Sequence, residues 1–341
     1  MADAWLDQFP RTTRAVLDEM DSILGFNLSR TICEGPFSSL NRTENAQPAI
    51  MVISVLILRI LEHEFGFNTK TRVDVTLGHS LGEFSALVAA GHLHFADALR
   101  LVRHRAEVMA QCTRQVADKF GEHHGMVALI CEPDHLESLL RTINDFLDAR
   151  FDDMGTHLGS PIQRVVVANI NSPNQIVLSG SIERIRTLLV QLRQFGGHDP
   201  RAVRLKSDSP FHSPVMLPAA EYMKKALDDV NIVFPAAIPC ISNVSALPFQ
   251  STDDLKLLLS RQCTDTVLWW DSIRYLHQTQ GVRRWIGIGP GKVGRNLVGK
   301  EVGRVNTKGG GVWAVSNPKE IESMMIALEE TEPEVQTKEY S

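Results

Sequence analysis

The chain has 341 residues, 43% hydrophobic and 22% charged, enough for one large soluble globular domain or two modest ones. A formal net charge of -5 argues against a general affinity for nucleic acid or for an anionic membrane surface. Five scattered cysteines (Cys33, Cys112, Cys131, Cys240, Cys263) form neither a disulfide framework nor a metal-ligand spacing, and point to a reducing compartment.

In chain order, residues 5–24 carry apolar side chains at helical spacing and stop at Gly25, which predicts an amphipathic helix rather than a cleaved leader. Residues 48–65 predict a buried helix begun by Pro48, and its apolar stretch, 50–61, is too short to span a bilayer. A strand at 73–77, a helix at 81–90 and a helix at 95–111 follow. The rhythm then changes to strand 126–131, helix 133–147, strand 164–169, strand 175–179, helix 182–195 and strand 202–206. That βαββαβ order predicts a ferredoxin-like unit at 125–206, inserted in a larger domain made of 1–124 and 207–325. The larger domain resumes with helix 218–230, strand 238–242, helices 252–263 and 270–278, and strand 284–288. Residues 326–341 read as a flexible polar tail.

The chemistry concentrates at Gly78-His79-Ser80-Leu81-Gly82, between the strand at 73–77 and the helix at 81–90. Strand, Gly-x-Ser-x-Gly turn and helix in that order predict a nucleophile elbow on an α/β-hydrolase-like parallel sheet, the two glycines allowing the tight turn. The helix N-terminus would face a tetrahedral oxyanion at Ser80. A serine needs a base, and twelve histidines compete for that role. His79 adjoins Ser80 and points away from it, and so shapes the elbow. His123 and His124 read as a surface pair. His212, in the loop Ser209-Pro210-Phe211-His212-Ser213-Pro214, is the candidate base. Gly289-Pro290-Gly291-Lys292-Val293-Gly294 formally fits a nucleotide loop, but it lies late in the chain without a following acidic partner and reads as a structural turn.

These motifs, the elbow taken on through Glu83 as Gly78-His79-Ser80-Leu81-Gly82-Glu83, with Leu101-Val102-Arg103-His104-Arg105, Asn169-Ile170-Asn171-Ser172-Pro173 and Gly289-Pro290-Gly291-Lys292, occur in an order that resembles the malonyl-CoA:acyl carrier protein transacylases. The longer loops at 150–163 and 196–201 look more like a fungal mitochondrial member than a bacterial one. The resemblance implies that Ser80 attacks the thioester of malonyl-CoA and that His212 serves as base and then acid. It implies that the backbone carbonyl of Gln262 orients the histidine and that the Leu81 N–H contributes an oxyanion contact. Arg105 matches the arginine that takes the free malonyl carboxylate, and Phe211 a bulky ring that excludes a methyl branch. Met109, Gln47 and His79 match positions around the same pocket. Ser80, Arg105 and His212 are therefore expected around one solvent-reached cavity.

Members of that family open with a strand and a Gly-Gln-Gly-Ser-Gln loop whose first glutamine supplies a second oxyanion N–H. This sequence holds no such motif, and the expectation is that the native protein carries it upstream of Met1, with any presequence. Without it, two strands would lack a ladder partner, and loss of an oxyanion donor costs on the order of 100- to 1000-fold in turnover. The implied reaction is ping-pong malonyl transfer to the phosphopantetheine thiol of acyl carrier protein for fatty acid synthesis, with no cofactor and no metal. The implied state is a monomer without membrane insertion, in the mitochondrial matrix or otherwise the cytoplasm. Arg201, Arg204, Lys206, Lys224 and Lys225 are candidates for a rim that meets an acidic carrier. Two other readings share the elbow: a serine esterase or thioesterase, and a non-catalytic carrier-binding module.

Overall fold

The computed structural model describes residues 1–148, 164–207, 209–303 and 309–332. The loop predicted at 150–163 lies outside them. The helix expected at 5–24 is two, Asp3–Gln8 and Pro10–Leu24. Phe9 sits between them with φ -130° and ψ 59°, because a residue before proline is pushed out of helical space.

The buried helix starts earlier than expected, at Thr43, and runs to Phe65 with Pro48 inside it. A proline there leaves the carbonyl four residues back without its N–H. That carbonyl, Glu44 O, receives the Arg103 guanidinium at 2.6 Å instead. The long helix Phe95–Phe120 extends past the predicted 111 and packs on Thr43–Phe65. Among the described residues no helix is long and apolar enough to cross a membrane.

The larger unit holds short parallel strands. β1 (Thr76–Leu77) pairs with β6 (Cys240–Ile241), and β7 (Arg284–Ile288) pairs with β8 (Gly311–Val315). The two pairs share no ladder bond among the described residues; Leu77, Ile241 and Trp285 join them through one apolar cluster. The helix Val293–Val302, strand β8 and the helix Glu320–Glu330 were not legible in the sequence, and the last of these continues into the stretch expected as tail. The helix expected at 270–278 is an α-helix over Trp269–Arg274 that loosens into a π-turn at Tyr275–Thr279.

The second sheet is antiparallel and four-stranded, in the order β3–β4–β2–β5 (Val166–Ser172, Gln175–Ser181, His124–Ile130, Arg201–Arg204). That order and its two helices, Leu136–Asp148 and Ile182–Gln194, make the ferredoxin-like unit. One face buries Leu129, Ile176 and Leu178 against Leu139, Ile143, Ile185 and Leu188 of the helices. The other face presents Met126, Ala128, Ala168 and Val177 to Phe211, and so backs the loop that carries His212. His124 is 5% exposed within β2, correcting its reading as a surface residue.

Edge strand β3 is stitched to the larger unit. Ile170 N–H donates to Val267 O at 3.0 Å, Val267 N–H to Ala168 O at 2.8 Å, and the Thr266 hydroxyl to Val167 O at 2.7 Å. The small sheet thus stands at a fixed distance from the chain that follows Gln262.

Candidate active site

β1 leads through Gly78, His79, Ser80 and Leu81 into the helix Gly82–Ala90. Ser80 has φ of 53°, the strained backbone of a nucleophile elbow. Only one of the two motif glycines is sterically required. A Cβ on Gly78 would lie 2.0 Å from the Gly82 carbonyl group, whereas one on Gly82 would meet nothing within 4 Å. The strain is held by Asn243, just beyond β6. Its Oδ1 accepts the Ser80 N–H at 2.7 Å, and its Nδ2 donates to Gly78 O at 2.7 Å.

His212 also has positive φ, 55°, in a loop pinned from several sides. The Thr113 hydroxyl donates to Ser209 Oγ at 3.0 Å, and the Ser213 hydroxyl donates to Pro210 O at 2.6 Å. The imidazole reaches Ser80: Nε2 lies 2.7 Å from Oγ, and Nδ1 lies 2.7 Å from Gln262 O. A carbonyl can only accept, so the proton resides on Nδ1. Nε2 is then the free base, and the Ser80 hydroxyl donates to it. Burial pushes the His212 pKa down to about 3, and the nearby Arg105 charge pushes the same way, so the ring is neutral at pH 7. A cleft of about 380 Å³ opens on His212, lined also by Val166, Pro214, Arg261, Thr266 and Leu268.

Arg105 departs from expectation. It is 2% exposed and closed off, not open to a cavity. Nη1 donates to Gln47 Oε1 at 2.7 Å and Nη2 donates to Gln262 Oε1 at 2.7 Å, while Nε has no hydrogen-bond partner among the described residues. Two neutral amides thus occupy the fork that would grip a carboxylate. Gln47 in turn donates its amide to Met109 Sδ at 3.6 Å, so Gln47, Arg105 and Met109 do cluster. His79 turns away from Ser80, places Nε2 2.8 Å from Asn171 Oδ1 of β3 and packs edge-on to Trp269. Phe211 is half-buried between the two units. Leu81 caps the helix, and among the described residues its N–H has no acceptor.

Two residues at the site have no role in the sequence reading, Glu83 although it closes the elbow motif. Glu83 is fully buried, its Oε1 accepting Asn243 N–H at 3.0 Å and its Oε2 accepting Gln262 Nε2 at 2.7 Å. An acidic residue in a first helical turn ordinarily reads as a solvated partner of the helix dipole, which hides it. Asn243 had one signal: it follows a parallel strand at its carboxyl end, where α/β sites collect.

Residues 4–134 match the family model of the acyl transferase domain. The malonyl CoA-acyl carrier protein transacylase of Bacillus subtilis is 38% identical over 324 residues, spanning 95% of this chain and 91% of that one. The chain belongs to the malonyl CoA-acyl carrier protein transacylase family. A solved acyl-carrier-protein S-malonyltransferase from Bartonella henselae superposes with a TM-score of 0.78 at 32% identity, covering 96% of this chain and 95% of the other. A second family structure, a malonyl-transacylase in complex with its type II polyketide acyl-carrier protein, gives a TM-score of 0.78 at 29% identity and covers 97% and 94%. Family membership accounts for the two-unit fold, with its ferredoxin-like sheet set beside the elbow.

Proposed function

We propose that the chain transfers a malonyl group from malonyl-CoA to the phosphopantetheine thiol of acyl carrier protein through a malonyl ester on Ser80. The observation that carries this is the Ser80 Oγ to His212 Nε2 contact of 2.7 Å, with Nδ1 held at 2.7 Å by a main-chain carbonyl. Ser80 gives its proton to Nε2 as Oγ attacks the thioester carbonyl, and the Leu81 N–H faces the developing oxyanion. The C–S bond breaks, the imidazolium protonates the departing CoA sulfur, and malonyl-Ser80 remains. The carrier thiol then gives its proton to Nε2, its sulfur attacks the ester carbonyl, and Ser80 recovers a hydroxyl. Gln262 replaces the acid of a hydrolase triad, holding the imidazole by a carbonyl.

Arg105 selects the acyl group by exchange. A malonyl carboxylate replaces neutral amide oxygens with charge-assisted bonds, and an acetyl group offers nothing in return. Gln47, Met109 and Phe211 wall the acyl pocket, and His79 holds the elbow to β3. The reaction uses no resident cofactor. The carrier meets the exposed Arg201, Arg204, Lys206, Lys224 and Lys225. The chain works as a monomer, in the mitochondrial matrix. Mass spectrometry after brief incubation with malonyl-CoA tests the reading: a malonyl adduct on Ser80, absent in Ser80→Ala, is expected. A parent chain that stays unmodified would refute it.

A further inference from the structure

The steps above make no use of the carboxylate beneath the elbow. Glu83 bridges the two loops that bring nucleophile and base together. Through Oε1 it holds Asn243, whose side chain clamps Ser80 N–H and Gly78 O. Through Oε2 it holds Gln262, whose main-chain carbonyl holds His212. Gln262 Nε2 also donates to Ser80 O at 2.8 Å, so the same amide touches the elbow directly.

We propose that Glu83 is a positioning residue for acyl transfer, a buried two-oxygen acceptor that fixes Gln262 and Asn243 together and thereby sets Ser80 against His212. The inference rests on Ser80 as the nucleophile. Both partners of Glu83 are donors, and only an ionised carboxylate accepts one at each oxygen. A glutamine or a protonated acid at this position would turn a hydrogen toward one of them. The charges at 83 and 105 also dictate which way the Gln262 amide faces. Flipped, its NH2 would oppose the Arg105 guanidinium and its oxygen would oppose Glu83.

The groups facing Glu83 are Arg105 from the long helix, Cys240 from β6 and Cys263 after Gln262, with His212 beyond the amide. Burial pushes both thiols up, so they stay neutral. Burial also raises Glu83 to about 7, against the pull of its two hydrogen bonds and of Arg105. His212, held at about 3, does not titrate there. Acylation of Ser80 therefore rises with pH through neutrality as Glu83 ionises.

The test measures Ser80 acylation by p-nitrophenyl acetate and by malonyl-CoA, from about pH 5.5 to 9, in the parent, Glu83→Gln and Glu83→Asp. Glu83→Gln is expected to acylate about 10- to 100-fold more slowly and to lose the transition near neutrality, while Glu83→Asp keeps that transition. Carbon-13 NMR of glutamate-labelled parent should show one carboxyl titrating near neutrality. Acylation of Glu83→Gln within about threefold of the parent, or a slowed variant that keeps the transition, would overturn the proposal. If Glu83→Gln fails to fold, the parent spectrum decides, and glutamates that all titrate in the ordinary carboxylate range would overturn it. A parent acylated by the nitrophenyl ester but not by malonyl-CoA would overturn the malonyl reading alone.

Discussion

Removing the Asn243 side chain should disable the elbow while leaving its backbone path sterically open. Asn243 is 2% exposed, and its amide satisfies Ser80 N–H and Gly78 O, each at 2.7 Å. Asn243→Ala leaves one part-buried donor and one buried acceptor unpaired, each costing roughly 1–3 kcal/mol, for a loss of about 2–6 kcal/mol. It also releases Ser80 from a left-handed backbone that itself costs about 1–3 kcal/mol, so the hydroxyl drifts from Nε2. A displacement of about 1 Å lowers kcat/KM on the order of 100-fold. Asn243→Asp keeps the acceptor for Ser80 N–H but sets a carboxylate against Gly78 O, and it should partly recover as pH falls and the acid regains a proton to donate. The assays are CoA release with malonyl-CoA and holo carrier protein, and urea unfolding. Asn243→Ala with stability within about 0.5 kcal/mol and turnover within about threefold of the parent would refute the clamp.

Gly78→Ala should not yield soluble protein, because its methyl would lie 2.0 Å from Gly82 backbone atoms, whereas Gly82→Ala should melt close to the parent in a thermal scan. Gln47→Glu places a permanent carboxylate on Arg105 Nη1, so the KM for malonyl-CoA should rise about tenfold or more with a smaller effect on acetyl transfer. Arg105→Ala should narrow the malonyl-over-acetyl ratio in the same assay. Stability against pH carries two opposed slopes. Glu83, raised from 4.5 to about 7, binds more proton when folded, so its contribution falls as pH rises from about 4.5 to 7, by about 3 kcal/mol. His212, lowered from 6.5 to about 3, binds more proton when unfolded, so its contribution grows with pH from about 3 to 6.5. Urea titrations should show Glu83→Gln gaining stability more steeply than the parent between about pH 4.5 and 6.5, and His212→Ala losing it over that interval.

The elbow was legible because its signal is local: strand, glycine, serine and helix are consecutive, and the geometry follows from a few adjacent torsions. The ferredoxin-like unit was legible for a similar reason, since each of its elements carries its own periodicity. Pro48 misled because proline inside a helix is tolerated when something else takes the orphaned carbonyl, and Arg103, far along the chain, does so. The roles of Asn243 and Glu83 were not legible because they lie in each other, across 160 positions of sequence. Arg105 was placed near its partners by resemblance, yet nothing in the sequence told that two glutamines already fill its fork.

The seam at Val267 ties the two units to each other beside the cleft. The bonds from β3 to residues 266 and 267, with the His79–Asn171 contact, would all break if the ferredoxin-like unit swung outward. A jaw is therefore the wrong picture. The cleft at His212, lined by Val166 and Val167 of the small sheet and by Thr266 and Leu268 of the larger unit, has walls that these bonds tie together.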